Sequence, residues 1–175
     1  MINRISAVIV VMLTFITILV SCNPKSEEEV IQEAEDIAQK TFTSSQTITP
    51  NQELDHLSLY LPNHLEIEEI DENNIILSDN KQTYIIFYNN LEDPTSELNY
   101  QIASNRDALL LEAFQDEEKF GYIQIISEDE DKYEIQIGVG GAKITTYTNK
   151  NRMINHVEEL MEIALSIAES NNQDD

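Results

Sequence analysis

Hydrophobic and polar positions along this chain change period several times, and each change marks an element. Ser26-Glu27-Glu28-Glu29 has the form of a capping box, with Ser26 at the N-cap and Glu29 at N3. The three glutamates also suit the positive end of a helix. Val30, Ile31, Ala34, Ile37 and Ala38 then recur at helical spacing, which predicts an amphipathic helix from 26 to about Thr41. Thr43-Ser44-Ser45-Gln46-Thr47 and Pro50-Asn51 break the pattern and read as a linker.

From Leu57 the period becomes two. Leu57, Leu59 and Leu61 alternate with Ser58 and Tyr60 up to Pro62, and His64 to Ile70 is a second strand with Leu65 and Ile67 on one face. Asp71-Glu72-Asn73 turns into the strand Asn74 to Ser78, and Asp79-Asn80 turns into the β-branched and aromatic run Thr83 to Tyr88. Asp93-Pro94 has the form of a helix start, Asp at the N-cap and Pro at N1, predicting a short helix to about Ser104. Ala108 to Phe114 is apolar without a decisive period and is assigned as a strand, because a meander follows it. Phe120 to Ser127 alternates, Glu128-Asp129-Glu130-Asp131 is a charged turn, and Lys132 to Val139 alternates again.

Gly140-Gly141 is the clearest local signal. A two-residue hairpin loop needs positive φ, which glycine adopts without steric cost. With these two residues as the loop, Val139 faces Ala142, Ile137 faces Ile144 and Ile135 faces Thr146, so apolar side chains gather on one face. Beyond Asn149, Ile154, Val157, Leu160, Met161, Ala164, Leu165 and Ala168 form a helical stripe, and 171–175 is a polar tail. The predicted fold is α+β: a mostly antiparallel meander packed by an N-terminal and a C-terminal amphipathic helix, with a short helix between two strand groups.

The first residues obey a different pattern. Arg4 precedes the uncharged apolar run Ile5 to Val20, which ends in Leu19-Val20-Ser21-Cys22 and the polar Asn23-Pro24-Lys25-Ser26. The run is shorter than the ~20 residues a spanning helix needs. It resembles the signal peptide and lipobox of small lipoproteins of Gram-positive bacteria. The resemblance implies a cleaved segment 1–21 and an S-diacylglyceryl group on Cys22, whose freed amino group is open to a further acyl chain. It also implies lipoprotein-processing enzymes as partners, and a protein anchored on the extracytoplasmic face of the cell membrane. Residues 22–25 would then be a tether, 26–50 the N-terminal helix and linker, 51–170 a single α+β domain.

Charge narrows the partners. The chain carries 33 acidic against 10 basic side chains, a formal charge of −23. Such a body is repelled by phosphate polymers, so nucleic acid is excluded as a partner, and by anionic headgroups, so the domain is expected to stand off the bilayer on its tether. The acids are dispersed along the chain, as a solvated surface requires.

Patterns that would carry chemistry fail one by one. His56, His64 and His156 lack the i, i+4 or thiol context of a zinc site, and all three are read as exposed or loop residues. The 128–131 acids fail the EF-hand spacing, since the sixth residue counted from Asp129 is Glu134 and not glycine. Gly138-Val139-Gly140-Gly141 is followed by a strand, so it offers no helix N-terminus to a phosphate. A single cysteine excludes a disulfide within the chain. No catalytic residue, metal ligand or cofactor site is assigned; Cys22 alone is a site.

Leu59-Tyr60-Leu61-Pro62, Phe120-Gly121-Tyr122-Ile123, Gly138 to Lys143 and Met161-Glu162-Ile163 resemble an uncharacterised lipoprotein family of endospore-forming bacteria, from which no site residues follow. The strand ending in Pro62, the β-rich body and the terminal helix also resemble the PsbP-like fold, which implies a non-enzymatic accessory protein. The expected function is therefore an interaction or accessory module at the cell envelope, its partner an exported protein or a wall component. A small envelope hydrolase or a ligand or cation receptor is the alternative. An exposed apolar patch would favour the module, and a pocket of polar groups with shifted pKa values the enzyme.

Overall fold

The alternation over 120–148 becomes the centre of a seven-stranded sheet. A computed structural model describes residues 25–171 apart from His56 and Asn80; Cys22, the apolar run 5–20 and the tail 172–175 lie outside the described residues. The elements in chain order are α1 (Glu27–Phe42), β1 (Gln52–Leu54), β2 (Leu57–Leu59), β3 (Glu66–Ile70), β4 (Asn74–Ser78), β5 (Thr83–Tyr88), α2 (Leu98–Ala103), β6 (Leu110–Gln115), β7 (Phe120–Asp129), β8 (Lys132–Val139), β9 (Ala142–Thr148) and α3 (Met153–Asn171). Strands β3 to β9 form an antiparallel sheet in the order β3-β4-β5-β9-β8-β7-β6, and β1 and β2 form a separate two-stranded ribbon. The fold is α+β, with a helix at each end of the chain and a short one between the strand groups.

One sheet face is apolar and both long helices lie on it. Tyr84 and Ile86 of β5, Ile144 of β9, Ile135 and Ile137 of β8 and Ile123 and Ile125 of β7 are fully buried there. From α3, Val157, Leu160, Met161, Ala164 and Ile167 are fully buried. Helix α1 lies against α3 and the β6–β7 end of the sheet, and adds Val30, Ala34, Ala38 and Phe42 to the same core. At ~25 cal/mol per Å² of apolar surface, burying each Ile or Leu stabilises by roughly 1.5–3 kcal/mol, so helix packing on this face dominates the fold's energetics.

Local chemistry fixes the helix starts and turns. The capping box is formed: the Glu29 backbone N–H donates to Ser26 Oγ at 3.2 Å, and the Ser26 backbone N–H donates to Glu29 Oε2 at 2.7 Å. Tyr133 Oη on β8 donates to Glu27 Oε2 at 2.6 Å and ties the helix start to the sheet. Gly121 lets α1 approach, since a Cβ there would sit 2.8 Å from the Phe42 ring. The 140–141 hairpin has the expected register, Val139 with Ala142 and Ile137 with Ile144. Of its two glycines only Gly140 has positive φ, at 52°.

Three expectations need correction. Helix α2 starts at Leu98, not Pro94. Asp93-Pro94 instead forms a turn, in which the Ser96 N–H donates to the Asp93 carbonyl and the Phe120 N–H to the Pro94 carbonyl. The strand from Leu57 ends at Leu59, because the Tyr60 N–H leaves the ribbon for Ser166 Oγ on α3, at 2.8 Å. Strand β1, where the sequence pattern assigns no element, pairs with β2 in the register Gln52 to Leu59. His156 is buried within α3 rather than exposed. Among the described residues no helix is long and apolar enough to cross a membrane.

Candidate functional site

The second face of the sheet is only half covered. Helix α2 packs over its β7 side: the Tyr100 ring stands edge-on to Phe120 and Tyr122, Gln124 Nε2 donates to the Ala103 carbonyl at 2.8 Å, and Asn99 Nδ2 donates to the Gly140 carbonyl at 3.0 Å. On β8 this cover continues with Arg106, whose guanidinium grips both oxygens of the Glu134 carboxylate. That contact raises the Arg106 pKa further, chiefly through the hydrogen bond. Tyr122 Oη donates to Gln136 Oε1 at 2.7 Å, while Gln124 Oε1 is buried beneath α2 without a protein hydrogen-bond partner.

Among the described residues no element covers the β3-β4-β5-β9 half. The cross-strand register lines up Ile76, Ile85 and Thr145 in one row, and Asn74, Phe87 and Lys143 in the next. Ile85 is 45% exposed and Tyr147 46%, while Ile76 and Phe87 are half-buried. Lysines stand on the aromatic rings: Lys143 Nζ lies 5.2 Å from the Phe87 centroid and Lys132 Nζ 4.2 Å from that of Tyr147. Burial lowers the Lys143 pKa against the opposing pull of Glu134. On the far side, β3 carries Glu66 and Glu69 beside Ser78 and Ile76, and a bulge between Ile67 and Glu69 brings Glu68 to accept from Ser78 Oγ. The face thus grades from carboxylates through an apolar stripe to cations.

A second feature is a cavity of about 370 Å³ where the β1–β2 ribbon meets the β3–β4 turn. Leu54, Leu57, Ile70, Ile75 and Tyr88 supply apolar lining, and Glu53, Asp55, Asp71 and Glu72 supply carboxylates. Asp71 is engaged structurally, accepting from the Asn73 and Asn74 backbone N–H groups at 2.9 and 2.8 Å, and these bonds hold its pKa low.

A third feature is a polar cluster beneath the N-terminal half of α3. His156 stands edge-on to Tyr84, ring centroids 5.9 Å apart. His64, from the loop before β3, pairs with Glu159 at 3.2 Å, and Arg152 pairs with Asp79 at 3.5 Å. Tyr84 Oη, His156 Nδ1 and Glu159 Oε1 are buried without a protein hydrogen-bond partner. Burial, reinforced by the Glu159 and Asp79 charges, pushes the Tyr84 hydroxyl up to about 12. Burial, reinforced by Arg152, pushes His156 down to about 4, and burial also raises the Glu159 carboxyl. His156 is therefore a neutral imidazole in the folded protein at neutral pH.

The histidines expected to be isolated are thus divided. His64 is an exposed loop residue as expected, His156 joins a buried network, and His56 lies outside the described residues. Sequence spacing could not pair His64 with Glu159 or His156 with Tyr84, because each pair joins distant chain segments. Among the described residues no group of three His, Cys, Asp or Glu side chains is placed to hold a metal ion. Comparison of the chain with protein-family profiles, with curated proteins and with solved structures finds no match.

Proposed function

We propose that this chain is a lipid-anchored, extracytoplasmic, non-enzymatic interaction module of the cell envelope, whose contact surface is the uncovered half of its sheet. One observation carries the reading: Ile76, Ile85, Phe87 and Tyr147 form a contiguous apolar stripe on an otherwise strongly acidic surface. A stripe that could have been covered by a longer α2 is instead kept open, and exposed contiguous apolar surface is characteristic of interaction sites. The lysines on the two rings keep the stripe solvated when it is unoccupied and offer charge to a partner when it is not. The anchor at Cys22, through two acyl chains, would hold the module at the membrane despite the repulsion of its charge.

The test is proximity labelling from the full-length protein on the outer membrane face, compared with the Ile85→Glu variant. Ile85 is exposed, so the substitution leaves the core intact. Loss of the specific labels in the variant is expected. An identical set of labelled proteins from both would overturn the surface assignment.

The cavity between the β1–β2 ribbon and the β3–β4 turn supports a second reading, a receptor for an organic cation with an apolar body. Its lining matches such a ligand in both respects, an apolar interior and carboxylates around it. Calorimetric titration with alkylamines of increasing chain length checks it; heats that do not change on Ile70→Lys would remove it.

A further inference from the structure

Two of the other features do not identify an occupant. The Tyr84–His156–Glu159 cluster has the polarity of a hydrated interior, and the cavity beside the ribbon belongs to the second reading above. The charge layout of the open sheet face goes further, because it is ordered. Carboxylates stand on β3 (Glu66, Glu68 and Glu69), apolar side chains on β4 and β5 (Ile76, Ile85 and Phe87), and cations on the β9 side (Lys143, and Lys132 above Tyr147). Net charge is −23 with only 10 basic residues in the chain, so two of those placed on one apolar stripe, opposite an acidic strand, make a local polarity that the composition does not supply.

Such a face is complementary to itself. We infer that the partner of the uncovered sheet face is a second copy of this chain, packed face to face about a two-fold axis that runs broadly along the strands. The inference rests on the surface assignment proposed above. Rotation about that axis carries β3 of each copy over β9 of the other and sets β4 against β5. Ile76 then meets the partner's Ile85, while Glu66 and Glu69 approach the partner's Lys132 and Lys143. Isologous contacts of this kind are the commonest route to symmetric dimers, and sheets packed face to face keep their strands within about 30° of each other. A two-fold axis across the strands would instead place β3 over β3, carboxylates against carboxylates.

The size of the face sets the strength. Four strands at ~4.8 Å spacing and roughly 17 Å of strand length give a footprint of about 300–400 Å² per copy. Stable complexes bury ~800 Å² per partner, so this contact is too small to persist between dilute molecules that also repel through their net charge. Tethering both copies to one membrane raises the effective concentration toward the millimolar range, where a weak contact is occupied. The dimer therefore belongs to the anchored protein.

The test is cysteine cross-linking of the full-length protein on cells, through a short bismaleimide. Ile85→Cys lies beside the proposed axis; Leu91→Cys, 88% exposed in the loop after β5, reports random collision. A covalent homodimer that forms several-fold faster through residue 85 than through residue 91 is expected. Lys132→Glu added to Ile85→Cys should suppress it several-fold, and co-expression with a copy carrying Glu66→Lys and Ile85→Cys should restore it. Equal rates at the two positions, or adducts with other polypeptides in place of the homodimer, overturn the second copy as partner. If the Ile85→Glu variant still loses its labels in that case, the interaction surface stands and only the identity of its occupant falls. A charge reversal without effect would leave a dimer but remove this register, and with it the inference.

Discussion

His156 gives the sharpest physical prediction. It is 5% exposed, packs edge-on against Tyr84, and has an unpartnered Nδ1. The groups around it come from every neighbouring element: Tyr84 on β5, Asp79 in the β4–β5 turn, His64 in the loop before β3, Arg152 in the turn just before α3 and Glu159 on α3 itself. Burial lowers its pKa from 6.5 to about 4, with Arg152 adding to the effect. An unfolded chain thus binds a proton below pH 6.5 that the folded chain refuses. Stability is complete above that value and is lost as the pH falls from 6.5 toward 4. Each pKa unit corresponds to ~1.4 kcal/mol, so at pH 5 this histidine alone should cost about 2 kcal/mol.

Glu159 works in the opposite sense. Its folded pKa is raised, so above 4.5 the folded chain holds a proton that the unfolded chain releases, and acidification through that range is stabilising. A difference between two proteins that share Glu159 isolates the histidine. Urea denaturation of the chain starting at Asn23, at pH 7.5 and pH 5, compares the native sequence with His156→Leu. The native protein should lose about 2 kcal/mol more than the variant between the two pH values. Equal losses in the two proteins would refute the claim that His156 is held neutral by burial.

Gly140→Val should destabilise by more than ~1 kcal/mol, because the residue has φ of 52° and a Cβ would meet Pro94 Cα at 2.6 Å; the guanidinium midpoint reads it, and an unchanged midpoint would contradict the turn. Ser166→Ala should cost ~1–2 kcal/mol, because the Tyr60 N–H loses its acceptor at 2.8 Å; proton exchange at Tyr60 should accelerate beyond the change in global stability. Cys22→Ala should leave an unlipidated precursor that retains Met1; mass spectrometry of the native N-terminus checks the premise, and a free Cys22 thiol in the mature protein would overturn it.

Local rules made the periodic parts of this fold legible. The capping box at Ser26, the 140–141 hairpin register and the α3 stripe each involve residues close in sequence, whose geometry is set by a few dihedrals and one hydrophobic period. Errors fell where a tertiary bond competed with a local signal. Asp93-Pro94 has the local chemistry of a helix start, but the Pro94 carbonyl accepts from Phe120 and the loop folds over Gly140 instead. Tyr60 has the alternation of a strand, but Ser166, 106 residues away in sequence, takes its N–H.

The same distinction governs the candidate surface. Alternation does say that Ile76, Ile85 and Phe87 share one face of their strands, but it is equally satisfied by either face being the core. Burial decides between them, and it depends on which face the two long helices occupy. Tyr84 and Ile86 point toward α3 and become core; Ile85 and Phe87, one residue out of phase on the same strand, become surface. The apolar content of β5 on both faces is what a strand covered on both sides requires. In this molecule α2 is only six residues long and stops over β7, so among the described residues the second face of β4 and β5 keeps its apolar side chains without a cover. An apolar composition written for two covers, where the described residues supply one, is the physical reason to seek the second cover in another molecule.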